Sequence, residues 1–294
     1  MMQSCRSSPY NAQVLAYQRH GMAVAASPAV ASQFSAGSLH GAHQRCAVPM
    51  MAKSAPQAGW QPQSCELSEA VVQQHLPEGL ARVEQRRLAP TGRDNAYIGF
   101  LQAISSWGLL ASLPLGSDGA LHVNVPFCGG FSEGPLLMPC LVEKLPILRA
   151  TSVTLRGSDL EASQLWWATQ KEWVRRCLGS RARLEFSTKD LVKDPLPSAG
   201  LTLAVHPGPK IEHEGTGGVW HQIVANVLQS RAPGGRCIFA TFFIEEARAL
   251  QRICQWCGVS TEVHENPYYG TRPLPTYIDE RGVEATPLRY VLVT

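Results

Sequence analysis

From Leu121 onward the chain alternates between short apolar or β-branched runs and longer amphipathic ones. That alternation, more than any other feature, restricts what it can fold into. LHVNV (121–125), TSVTLRGSD (151–159), ARLEFST (182–188), AGLTLAVHP (199–207) and GGRCIFATF (234–242) read as strands. GPLLMPCLVEKLPIL (134–148), LEASQLWWATQKEWVRRCL (160–178), GGVWHQIVANVLQSR (217–231) and EEARALQRICQWCG (245–258) carry helical patterns, the first complicated by Pro139 and Pro146. Gly258 is placed to end the last of these, and the Pro-Gly-Gly step at 233–235 reads as a turn before its strand. Strands separated by helices build a parallel sheet covered on both faces. VSTEVHENPYY (259–269) and PLRYVLVT (287–294) read as two late strands with no long helix between them, which implies an antiparallel strand at the sheet edge. The expected fold is α/β: a doubly wound, mostly parallel seven-stranded sheet with an antiparallel edge strand, preceded by a helical segment and a disordered N-terminus.

The N-terminal part is different. Residues 1–65 contain no Asp or Glu and only Arg6, Arg19, Arg45 and Lys53 as basic residues. An acid-poor, Ser-rich, Arg-bearing start is typical of an organelle transit peptide (plastid or mitochondrion); a type III secretion signal has a similar composition, and a tail without an address would leave the protein cytoplasmic. Residues 66–118 read as a helical prelude, with Asp94 as N-cap of its second helix, that packs on the main domain or covers a ligand. The organisation is therefore 1–65, 66–118 and an α/β domain over 119–294.

A net charge of +3 leaves no nucleic-acid footprint, and no apolar run approaches the ~20 residues of a membrane span. The nine cysteines are odd in number and irregularly spaced, and read as reduced and mostly buried. Cys254 and Cys257 form one CxxC within a helical pattern, which without a second pair reads as packing, not a metal site.

In an open α/β sheet, ligands gather outside the carboxyl ends of the strands, near the point where the strand order reverses. Here the first strand ends at Asn124 and runs into Pro126, Cys128, Gly129 and Gly130. Bare backbone there permits close approach of a ligand and unusual backbone angles. The second strand ends at Asp159, suited to a ribose diol and equally to capping a helix that starts near Leu160. The third leads to Asp190, an adenine partner or the closure of a local turn, with Leu160 and Leu191 as apolar flanks to a ring. The fourth ends at His206, a base at neutral pH or a structural histidine. His213, Glu214 and His221 follow in a Gly-rich loop, where a solvated or substrate-covering loop is the simpler reading than a metal cluster. Trp166, Trp167 and Trp173 on one helix read as packing residues. Tyr268, Tyr269 and Arg272 are candidates for an acceptor pocket.

The order and spacing of these strand ends, with APGGRCIFATF (232–242) and PLRYVLVT, resemble the class I, seven-stranded S-adenosylmethionine-dependent methyltransferase family over residues 120–294. The resemblance implies S-adenosylmethionine as cofactor. Asn124, Cys128, Gly129 and Gly130 would lie by its methionine part, Asp159 and Leu160 by ribose, and Asp190 and Leu191 by adenine. The family's first motif commonly carries an acid where Asn124 stands; Glu133 is the available substitute. The expected function is methyl transfer to an unidentified acceptor, a small molecule favoured over a protein, with His206 as base. A methyltransferase-like module without catalysis is the alternative. A nicotinamide-dependent oxidoreductase is less expected, because Gly129, Gly130 and Gly134 give GGxxxG and not G-x-G-x-x-G.

Overall fold

The computed structural model describes residues 67–294 apart from 91, 132, 161, 206–218, 269–276, 279–283 and 286–287. The N-terminal segment read as a targeting sequence lies outside the described residues, as do His206, His213, Glu214, Tyr269 and Arg272.

Two helices come first, α1 (Glu69–Leu88) and α2 (Gly92–Ser106). Then follow β1 (Leu121–Pro126), α3 (Gly134–Leu148), β2 (Val153–Asp159), α4 (Gln164–Leu178), β3 (Ala182–Thr188), β4 (Ala199–Val205), α5 (Val219–Gln229), β5 (Arg231–Thr241), α6 (Ile244–Trp256) and β6 (Glu262–Glu265). A two-residue pairing of β7 (Tyr277–Ile278) with β8 (Glu284–Ala285) stands apart, and β9 (Tyr290–Val293) ends the chain. The main sheet has seven strands in the order β3-β2-β1-β4-β5-β9-β6. β3, β2, β1, β4 and β5 run parallel. β9 is reversed and slots between β5 and the edge strand β6, so β6 pairs antiparallel with its only neighbour. This is the mixed seven-stranded α/β architecture that the sequence pattern implied.

Side-chain alternation divides the interior. Leu121, Val123, Val125, Leu155, Leu201, Leu203, Ile238, Ala240 and Val291 enter one buried cluster with side chains of α2, α3 and α4, among them Phe100, Ile104, Leu137, Met138 and Trp173. Ala204, Cys237, Phe239 and Leu292, their strand neighbours, enter a second cluster with Val224 and Val227 of α5 and Leu250 and Ile253 of α6. Helices before β4 therefore cover one face and helices after it the other. The change of side falls between β1 and β4, which sit next to each other in the sheet. The prelude helix α2 contributes Phe100 and Ile104 to the first cluster, both fully buried.

Local expectations differ from the structure in three places. Asp94 does not cap α2; the helix begins two residues earlier and Asp94, buried inside its first turn, is ion-paired with Arg86 of α1. An ion pair between helices is a stronger demand on a buried carboxylate than a cap, since an unpaired buried charge is costly. The Pro-Gly-Gly step lies within β5 and not before it, at an irregularity where the register against β4 shifts between Ala199 and Leu201. Gly234 there has φ +75°, a conformation that an irregular strand takes from glycine cheaply. Asp159 is the last residue of β2 and does not cap α4, which starts at Gln164 after Ser163. Conversely, α3 survives Pro139 and Pro146. Eight of its residues are buried, and burial of ~1.5–3 kcal/mol per large apolar side chain offsets the ~3 kcal/mol that an interior proline costs. Gly258, with φ +76°, ends α6: its N–H donates to Gln255 O and that of Val259 to Cys254 O, both at 2.9 Å.

Candidate functional site

The carboxyl ends of β1 and β4, at the change of side, open onto a cavity of about 510 Å³. That lies within the ~300–1,000 Å³ typical of small-molecule sites. Val125, Pro126 and Val205 supply its floor from the strand ends, the turn Phe127–Phe131 one wall, and Tyr97 of α2, Ser163 and Trp166 of the β2–α4 connection and helix, and Glu133 the rest. Four aromatic residues therefore line a cavity whose one charged lining residue, among those described, is a carboxylate.

The turn is tightly built. Phe127, Gly129 and Phe131 have φ of 60°, 50° and 54°. Two phenylalanines in the left-handed region within five residues cost roughly 1–3 kcal/mol each and persist only when the surroundings hold them. Those surroundings are explicit. Cys128 N donates to Ser158 O at 3.1 Å, and Phe131 N to Cys128 O at 2.7 Å. Gly129 N donates to Asp159 Oδ2 at 2.7 Å, and Trp167 Nε1 donates to Gly129 O at 2.7 Å.

The two glycines of the turn stand in different surroundings. A Cβ on Gly129 would meet nothing within 4 Å, so its backbone angle requires the glycine. A Cβ on Gly130 would stand 3.3 Å from the Trp166 ring, a tight contact that the partly exposed indole would have to relieve by a small shift. Behind the turn, Phe186 of β3 stacks on Trp167 with centroids 5.1 Å apart and planes 7° from parallel, and meets Phe131 edge-on at 5.6 Å.

Burial keeps the Tyr97 phenol and the Cys128 thiol protonated. Burial pushes the Tyr97 phenol well above its ordinary value, with the Glu133 charge adding to it. Burial, then the Asp159 charge, push the Cys128 thiol up to about 12. Tyr97 is thus a hydrogen-bond donor and not a base at neutral pH, and Cys128 is not a nucleophile.

The residues singled out from sequence divide accordingly. Cys128, Gly129 and Gly130 line the cavity, and Asp159 sits directly behind Gly129. Leu160 follows Asp159 and is 57% exposed. Asn124 is fully buried in β1, its Nδ2 donating to Pro197 O at 2.7 Å, and does not line the cavity; its Oδ1 has no partner among the described residues. Asp190 closes a local turn: Val192 N donates to its Oδ1 at 3.1 Å, Lys193 Nζ lies 3.1 Å from its Oδ2, and its own N–H donates to Asp194 Oδ2 at 3.0 Å. Leu191 is buried in the cluster on the opposite face. Tyr268 packs on Gly99 of α2, and His221 stacks edge-on against Trp256. Among the described residues no group of three or more His, Cys, Asp or Glu side chains is arranged to hold a metal, the CxxC pair included. Sequence reasoning missed Tyr97, Val125, Phe127, Phe131, Ser163 and Val205, and it read Trp166 as packing although that residue lines the cavity and is 37% exposed. Tyr97 was hidden in an apolar helical pattern, where nothing marks one aromatic as facing a cavity.

No protein-family model and no curated protein matches the chain. Solved structures similar to it include the magnesium protoporphyrin IX methyltransferase of Synechocystis PCC 6803 with bound SAH. It is 12% identical over 77% of this chain and 98% of that one, with a TM-score of 0.41. TrmN from Thermus thermophilus is 19% identical over 66% and 47%, at 0.38. The precorrin 8w decarboxylase of Methanobacterium thermoautotrophicum is 16% identical over 65% and 88%, at 0.37.

Proposed function

We propose that the chain is an S-adenosylmethionine-dependent methyltransferase acting on a small-molecule acceptor. The observation that carries this reading is the chemistry of the cavity: four aromatic residues and one carboxylate, Glu133, with no Lys or Arg among the described lining residues. Such a lining favours a ligand with a cationic centre and an apolar body, and disfavours one carrying phosphates. That favours a sulfonium cofactor over a nicotinamide dinucleotide, whose pyrophosphate at the N-terminus of α3 would meet the Glu133 carboxylate and no basic group among the described lining residues.

The residues present fit the cofactor in part. Gly129, Gly130 and Cys128 would hold its methionine end, with Glu133 as partner for the amino group in place of the acid that Asn124 does not supply. Asp159 and the exposed Leu160 would meet the ribose; Asp190 and Leu191 are retained as the adenine side only if the turn they form opens. The bound cofactor supplies a methyl group already activated on a sulfonium. The chain's share is to bind, orient and exclude water. Tyr97 and Trp166 would bound the space left for the acceptor. His206 remains the proposed base. An N-terminal targeting role for residues 1–65 belongs to the same reading.

One observation favours a second reading, a methyltransferase-like binding module without catalysis. Both polar groups of Gly129 are already bonded, to Asp159 and Trp167, as they would be in a turn that serves only structure.

Calorimetric titration of the full chain with S-adenosylmethionine, S-adenosylhomocysteine and NAD⁺, with Asp159→Ala alongside, decides between them. Saturable binding of the first two, not the third, and weakened in a folded Asp159→Ala, is the expected result. Binding of none favours the module, and binding of NAD⁺ alone overturns the methyltransferase reading.

A further inference from the structure

We propose that Trp167 is a positioning residue that, with Asp159, clamps the Gly129 peptide from both sides and so fixes the cavity wall in its binding form. The proposal rests on the methyl-donor reading for what is bound, though not for the clamp itself. Three independent observations meet here. The donor and acceptor of a single residue are each held at 2.7 Å, N–H by the Asp159 carboxylate at the end of β2 and C=O by the Trp167 indole of α4. The indole cannot swing away easily: it is 7% exposed and stacked flat on Phe186. Phe186 in turn lies over Gly157 of β2, where a Cβ would stand 2.6 Å from its ring. The third observation is the need for a clamp, since the backbone on both sides of Gly129 is in the left-handed region at two phenylalanines.

The ladder Gly157–Phe186–Trp167–Gly129 therefore runs from the sheet to the turn. Its parts are a missing side chain, a ring stack and one hydrogen bond. Preorganisation of this kind favours ligand binding by removing the ordering cost from the binding step. Neither Trp167 nor Phe186 lines the cavity, so neither needs to touch the ligand to affect it.

Trp167→Phe tests this, because it keeps an aromatic ring against Phe186 and deletes the N–H donor, together with part of the indole's bulk. Amide hydrogen exchange over 127–134, read by mass spectrometry without ligand, is expected to rise by about ten-fold in the variant. S-adenosylhomocysteine affinity is expected to fall by about ten-fold, and by more than in Phe186→Leu, although both variants lose stability from the core. Trp256→Phe, which alters the most exposed tryptophan described, is the control and should match wild type in both. Phe186→Leu, which keeps the N–H and removes the stack, should give an intermediate increase and serves if Trp167→Phe does not fold. Exchange unchanged from wild type in the variants overturns the clamp. Faster exchange with wild-type affinity overturns its role in binding. A wild type that binds no S-adenosylhomocysteine counts against the methyl-donor reading, and the exchange result then decides the clamp alone.

Discussion

The carboxylate of Asp159 accepts the Gly129 amide at 2.7 Å, tying the end of β2 to the turn that follows β1. Two sequence positions 30 residues apart, each suggestive alone, form one structural unit because β1 and β2 are paired in register through Pro126 and Ser158.

Replacing Gly129 with Ala tests whether the turn depends on backbone angle. The added methyl meets open space, but φ +50° costs an L-residue ~1–2 kcal/mol, so unfolding free energy should fall by about that much. Gly157→Ala should cost a similar amount by another route, displacement of the Phe186 ring. Denaturant titration measures both. If Gly129→Ala is as stable as wild type, the positive φ does not govern the turn.

Charge should govern ligand choice. Glu133→Lys replaces the cavity's one described lining charge with its opposite, and is expected to weaken S-adenosylmethionine binding by more than ten-fold. S-adenosylhomocysteine, which lacks the sulfonium charge, should lose less. Equal losses for the two would mean that Glu133 does not sense the sulfonium.

The strand-and-helix rhythm was legible because covered parallel strands are apolar on both faces and helices repeat at 3.6 residues. Asp159 and the glycines were legible because strand ends are where ligands collect. Tyr97, Phe127 and Trp167 were not. Their roles depend on which side of a helix or turn faces the cavity, a tertiary property without a local signal. Asn124 illustrates the converse: its position in the series pointed to a ligand, but register turns its amide onto Pro197 O in the interior.

Thiol chemistry should favour the more accessible of the described cysteines, Cys177 and then Cys257. Burial raises Cys140 and Cys237 to about 11 and Cys254 to about 12, as it does Cys128; it also raises Cys177 and Cys257, but Cys177 is exposed and Cys257 half-buried. Peptide mapping after brief alkylation of the native protein at pH 7.5 should find Cys177 modified first, and Cys128, Cys237 and Cys254 only after denaturation. Rapid labelling of Cys128 would show an ionised thiol in the cavity.

Acid should loosen the α4 surface in a defined window. Hydrogen bonds from Arg175, then Arg176, hold the Glu172 carboxyl down at about 2. A lowered folded-state value contributes stability that is present above the unfolded carboxylate range near ~4.3 and lost as pH falls towards about 2. The difference in melting temperature between wild type and Glu172→Gln should therefore be constant above pH 5 and shrink below pH 4. It should be small throughout, because the arginines are solvent-exposed. A difference that grows on acidification would contradict the assignment.

The most direct test of the central claim is a crystal structure of the full chain grown with S-adenosylhomocysteine. The account predicts ligand density in the cavity bounded by Gly129, Gly130, Glu133 and Trp166, with its amino group towards Glu133 and the Trp167–Gly129 hydrogen bond intact. Density elsewhere, or a cavity that stays empty at saturating ligand, would contradict it.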